Sequence, residues 1–210
     1  TMGFSAAPGL LCALGILPGL TTPVFVAAAL WMLAAMVVAV RQALDYTSTV
    51  RATAVCAVGW LLAGAGAAHA VRLSRWRGWL TWREPIVLIL HMGYGWLALA
   101  LLILGGAALG FGMKPVDAVH ALTTGAVGAM TMAVMTRASL GHTGRPKHAD
   151  PLTVAIYALV NLGALIRVFG PATGLPMNVV LGLAAAAWGG AYLLFAAVYG
   201  PYLVRAGLDE

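Results

Sequence analysis

Charge is what this chain has least of. Six acidic residues and twelve Lys or Arg make up 9% of 210, against 62% hydrophobic residues, and mean hydropathy reaches +0.94. Too little polar surface remains to cover a water-soluble core, so the fold class is all-α, a polytopic transmembrane helix bundle of about six to seven spans. Thiols are equally scarce. Cys12 and Cys56 each lie in an apolar stretch, away from metal-ligand spacing, and read as buried and inert. The signatures of familiar enzymes are missing too. There is no Walker motif, no G-x-G-x-x-G after a strand, no nucleophile elbow, no paired Cys motif and no C-x-x-C-H. Whether the protein is an enzyme therefore stays open. The opening TMGFSAAPGL lacks a basic n-region and an initiator Met, so no cleavable signal peptide is expected and residue 1 is read as other than the natural start. The formal charge of +6 does not point to nucleic acid. The basic residues fall in short loops between apolar runs, where topology and anionic headgroups account for them.

What is present is a succession of apolar runs. Spans are expected at 22–40, 50–71, 86–109, 115–135, 151–169 and 175–199, each suited to a bilayer core of about 30 Å. The Gly- and Pro-bounded stretch 5–17 reads as tilted or half-inserted. Gly59, Ala63, Gly64, Gly66 and Ala67 offer close helix approach. RLSRWRGWLTWREP alternates Arg with Trp76, Trp79 and Trp82, the composition of a segment lying in the headgroup layer. Threading the spans alternately puts Arg72, Arg75, Arg77, Arg83, Arg137, Arg145, Lys147 and Arg205 on one side. Arg41, Arg51, Lys114 and Arg167 fall on the other. The positive-inside rule makes the first side, with the C-terminus, cytoplasmic.

The chain is organised around KPVDAVHALTTGAVGAMTMAVMTRASLGHTGRPKHAD, an apolar helix with Asp117 and His120 near its start and a loop of His, Gly and basic residues after it. Polar groups at that depth cost several kcal/mol unless paired, so they default to functional candidates. Arg167 lies inside another apolar run at similar depth to Asp117, and an ion pair between them is expected. His91 and His120 sit near the starts of antiparallel neighbouring spans, which separates them by roughly 20 Å of depth at about 1.5 Å per residue. Met130, Met132 and Met135 point in different directions on a helix, so they read as core or lipid-facing residues.

Two resemblances rest on quoted strings. GFSAAPGLLCALGILPGL and WMLAAMVVAVRQALDYTSTVRATAVCAVGW, within 1–61, look like the last helices of bacterial Yip-type membrane proteins. Across 62–210, HAVRLSRWRGWLTWREP, LHMGYGWLALALLILG, VHALTTGAVGAMTMAVMTRASLGHTGRP and ALIRVFG resemble the C-terminal half of the NnrS family. That resemblance implies a bacterial inner-membrane protein of nitric-oxide, nitrosative-stress and denitrification responses, containing haem and copper. It carries over onto His69, His91, His120, Arg137, His142, Arg145 and Arg167 as signature positions, without saying which are ligands. The family's N-terminal half is missing here. A chain supplying it is one expected partner, and membrane lipids are the other.

Each position has two readings. His120, with Asp117 three residues before it to orient the ring, is a haem or copper ligand or an interfacial Asp-His pair. His91 beside Met92 is a ligand for a soft or borderline metal or a histidine bonded within the bundle. His142 shapes a tight turn or contacts an anion. Arg137 and Arg145 pair with haem propionates or lipid phosphate, or serve topology alone. The stripe His120, Thr124, Gly128 leaves room for a flat cofactor or for a neighbouring backbone. Any haem is non-covalent, and His91 and His120 are not two axial ligands of one iron. The leading function is a haem-binding membrane protein of the nitric-oxide response. The alternative is a non-catalytic transporter or scaffold with a buried His, Asp and Arg path.

Overall fold

The computed structural model describes residues 48–204 and, before them, 26–27, 29–31 and 33–38. It is 86% helical, and no strand occurs among the described residues. Among the described residues five helices are long and apolar enough to cross a membrane. They are α1 (Thr49–Arg75), α2 (Pro85–Ala108), α3 (Pro115–His142), α4 (Pro151–Thr173, its last turn a 3₁₀ turn) and α5 (Met177–Val204). Of the span expected at 22–40, a shorter apolar helix at Ala29–Val38 is described. The stretch 5–17, Cys12, Arg41 and Arg205 lie outside the described residues.

Proline and aspartate set where the helices start. Pro85, Pro115 and Pro151 occupy the first turns of α2, α3 and α4, where a missing N–H is no loss. Asp150 caps α4 by accepting from the Thr153 backbone N–H at 2.7 Å. The last turn of α3 takes in Ser139 to His142, which the sequence had assigned to the following loop. His142 is therefore an exposed helix end rather than a turn residue, and the turn itself is made by Gly144 at φ 65°.

The architecture is two antiparallel hairpins on either side of a central helix. α1 packs on α2, α4 packs on α5, and α3 lies against α2 and α4. Small residues bring α1 and α2 together: a Cβ on Gly105 would fall 2.6 Å from the Ala63 backbone N, and one on Gly66 would fall 2.8 Å from Leu102. Gly64, expected to share in this, faces open space. One apolar cluster, with Ile89, Met132, Ile156 and Val160, sits at the level where α4 begins. A second, with Trp96, Ala121, Ala164 and Val168, sits at the level where α3 begins.

Between α1 and α2 the Arg-Trp segment folds as a short 3₁₀ turn, Gly78–Thr81, entered through Arg77 at φ 51°. Trp76, Trp79 and Trp82 are exposed, with Arg72 over Trp76 and Arg83 over Trp82. This is the geometry of a segment lying along the interface. Alternating helices put Arg72, Arg75, Arg77, Arg83, Arg137, Arg145 and Lys147 at one end of the bundle and Arg51, Lys114 and Arg167 at the other. We call these the arginine-rich end and the opposite end.

Candidate functional site

The first half of α3 is not a regular α-helix throughout. Pro115–His120 is α-helical, Ala121–Val127 winds as a π-helix, and Gly128–His142 returns to α. Wide turns of this kind are rare and collect at functional sites. Here the wide turn has an identifiable cause. Two tryptophans, one from each hairpin, press on it where only glycine leaves space. A Cβ on Gly125 would lie 2.4 Å from the Trp96 ring, and one on Gly128 would lie 2.8 Å from Trp188 Nε1.

Both indoles are fixed by their N–H groups. Trp188 Nε1 donates to the Thr124 carbonyl at 3.1 Å, inside the π segment. Trp96 Nε1 donates to Asn161 Oδ1 at 2.9 Å, and Asn161 Nδ2 donates to the Tyr157 carbonyl at 2.8 Å. In an apolar bundle each of these groups would be costly unpaired, so together they hold the rings in one orientation. The Thr124 hydroxyl donates to the His120 carbonyl at 2.7 Å. The room that the stripe His120, Thr124, Gly128 left for a flat cofactor is thus occupied at Gly128 by an indole.

His120 stands one residue before the π segment. Its Nε2 is buried and has no hydrogen-bond partner, the one such side-chain atom among the described residues. Arg167 of α4 and Asp117 of its own first turn are the charged groups that act on it. The direct Arg167–Asp117 ion pair expected from their depth is not formed. No ion pair within 4.0 Å occurs among the described residues, and the charges of both residues act on the imidazole from a distance. A buried nitrogen without a partner is expensive in a protein interior, which sets His120 apart from the other described histidines.

The NnrS protein family matches residues 16–206, most of the chain. The chain belongs to the NnrS family. With that comes membership of a membrane family of the nitric-oxide response. The NnrS match begins at residue 16 and so takes in most of the stretch whose strings look Yip-like. No curated protein and no solved structure matches.

The other NnrS signature residues lie elsewhere. His91 Nδ1 lies 3.1 Å from the Val87 carbonyl, an acceptor, so the ring proton is on Nδ1 and Nε2 is left with its lone pair. Gly78 packs against the ring, and Trp76 meets it edge-on at 6.2 Å. His69 is bonded to Tyr94 Oη at 2.6 Å. Arg145 is spent on the Tyr202 ring, 4.3 Å away, and on the Thr143 carbonyl. Arg137, Arg145 and His142 are all at the arginine-rich end, so neither arginine reaches the His120 site, where Arg167 is the basic residue at hand.

The contacts also fix the separation of the two histidines. Gly93 of α2 is level with Met130 of α3, so His91 is level with position 132. From 132 back to 120 at about 1.5 Å per residue is about 18 Å. Met130 packs on Gly93 while Met132 is fully buried in the core, so they form no common path.

Were haem bound here, the orphaned Nε2 of His120 could supply one protein nitrogen, and Arg167, whose charge acts on that ring, could serve an anionic group. Copper needs several donors together, and no group of three or more His, Cys, Asp or Glu able to hold a metal occurs among the described residues. Trp96, Trp188 and Asn161 were not singled out from the sequence. Asn161 carried the same signal as Arg167, a polar side chain inside an apolar run.

Proposed function

We propose that this NnrS-family protein binds haem non-covalently at His120 and acts in the nitric-oxide response of a bacterial inner membrane. The observation that carries this is the buried, unpartnered His120 Nε2 at the mouth of a π-distorted helix. When bound there, haem supplies an iron centre able to take nitric oxide. The chain's own part is to present one imidazole, to hold it against α4 through the Trp96 and Trp188 clamp, and to offer Arg167 to an anionic edge of the ligand. Copper, which the family resemblance also implies, remains a weaker proposal because no donor cluster supports it.

The transporter reading has less support. A column of buried hydroxyls, Tyr199 with Thr153 at 2.6 Å and Tyr157 with Thr136 at 2.5 Å, rises from the arginine-rich end to Asn161. Only apolar residues separate Asn161 from Arg167 on α4, a gap of about 9 Å at about 1.5 Å per residue.

Two measurements test the proposal. Purified protein titrated with haem is expected to develop a Soret band that saturates at one haem per chain and shifts on addition of nitric oxide. Absence of any saturable band would remove the haem reading. Reporters inserted at Gly144 and fused after Glu210 are expected to read cytoplasmic and one at Gly112 the opposite, because the described basic residues divide seven to three between the ends. A non-cytoplasmic signal at Gly144 overturns the orientation.

A further inference from the structure

The link between α1 and α2 carries the densest charge in the chain. Arg72 and Arg75 in the last turn of α1, and Arg77 and Arg83 after it, are all exposed, and Glu84 is the single carboxylate beside them. Trp76, Trp79 and Trp82 lie between the arginines and are exposed as well. Elsewhere in the bundle such groups are engaged: Trp96 and Trp188 donate their indole N–H to Asn161 and to the Thr124 carbonyl, and Arg145 lies over Tyr202 and donates to the Thr143 carbonyl. In this segment none is. No guanidinium of the four and no indole N–H of the three has an acceptor among the described residues, and no ion pair within 4.0 Å ties an arginine to Glu84.

Two of the rings hold guanidinium planes. Arg72 lies over Trp76 at 5.4 Å and Arg83 over Trp82 at 4.8 Å, contacts that orient the planes and leave their N–H edges free. Arg77 adds a separate signal. It sits at φ 51° and ψ 42°, the left-handed region that favours glycine, and the position keeps a long cationic side chain against that preference. Topology needs positive charge alone, which lysine supplies as well as arginine, and it does not need that charge at a strained position. A surface of free N–H donors in the headgroup layer selects a ligand that is anionic and accepts hydrogen bonds. A lipid phosphodiester is both, and it lies at the same depth as the segment. Trp79, Leu80 and Trp82, exposed at 61%, 65% and 63%, give the adjoining acyl chains an apolar seat that a soluble phosphate would not use.

We infer that the Arg-Trp segment is a selective site for an anionic phospholipid, with Arg72, Arg75, Arg77 and Arg83 supplying the donors for its headgroup phosphate. The segment is at the other end of the bundle from His120 and shares no residue with that site, so either assignment stands if the other fails.

The test offers the full chain in detergent equal amounts of phosphatidylglycerol and phosphatidylcholine with the same acyl chains and counts the bound lipids by native mass spectrometry. Phosphatidylglycerol is expected to be retained at least about tenfold over phosphatidylcholine, since each basic residue near anionic lipid contributes about fivefold. Arg72→Gln and Arg83→Gln are each expected to lower phosphatidylglycerol retention about fivefold and to leave phosphatidylcholine unchanged. Arg77→Gly is expected to do the same without lowering the unfolding temperature, because glycine is at ease at this φ, so that its lost binding is not lost fold. Trp82→Phe, which keeps the ring and removes the N–H, is expected to cause a smaller loss. Equal retention of the two lipids by the unaltered protein, or retention of neither, overturns the inference and leaves the arginines to topology. Full retention of phosphatidylglycerol by all three arginine variants overturns it as well. Displacement of the lipid by glycerol 3-phosphate also overturns it, and identifies a site for soluble phosphate.

Discussion

Replacing His120 with alanine is expected to lower haem affinity more than about 100-fold, because even outer-shell changes cost 10- to 100-fold and this one removes the ligand itself. His91→Ala is expected to leave the Soret band in place. The difference follows from position. His120 offers a buried nitrogen with no partner, whereas His91 lines a groove at the other end of the bundle. The separation of about 18 Å along α3 dwarfs metal–imidazole bonds of about 2 Å. A six-coordinate bis-His spectrum that both substitutions convert to the same five-coordinate form would sink this assignment. Arg167→Leu is expected to weaken haem binding less than His120→Ala, since it removes a charged partner and leaves the axial nitrogen.

The largest effect on stability is expected at Gly125. A Cβ there would lie 2.4 Å from the Trp96 ring, and that ring cannot swing aside without breaking its bond to Asn161. Gly125→Val is expected to cost about 3 kcal/mol, the upper part of the usual range for overpacking, with further loss if the buried N–H is left unpaired. Gly64→Val, at a glycine of another helix facing open space, is the control and is expected to be near neutral. Steric-trap or denaturant unfolding in detergent reads both. Equal stability of the two variants would mean that the clamp does not constrain α3.

The spans were legible because the bilayer imposes a length on them. Runs of apolar residues bounded by proline and arginine fell within about five residues of the helix ends observed, except at the end of α3, which continues from 135 to His142. Depth was legible for the same reason, which is why the distance between His91 and His120 could be anticipated. Lateral neighbours were not. Arg167 and Asp117 do share a depth, yet they form no ion pair. Rotation about a helix axis depends on which faces pack, and hydropathy does not encode it. The π segment was also out of reach. ALTTGAV has no feature that distinguishes it from an ordinary turn of helix, and the distortion arises from tryptophans 29 residues before Gly125 and 60 residues after Gly128, that is 125 minus 96 and 188 minus 128. Gly128, read as leaving room for a flat cofactor or a neighbouring backbone, makes room for an indole.

The clamp has a consequence for the order of assembly. α1 with α2 and α4 with α5 are hairpins of neighbouring segments, so each can close locally as it leaves the ribosome. The π segment waits on both hairpins, because Trp96 belongs to α2 and Trp188 to α5. Until α5 docks, the Thr124 carbonyl lacks its donor and the start of α3 has no reason to leave the α conformation. The start of α3 beside His120 therefore acquires its setting only after both α2 and α5 are in place. In a chain truncated before Trp188 the Thr124 carbonyl would lack its donor, and half of the clamp on α3 would be missing.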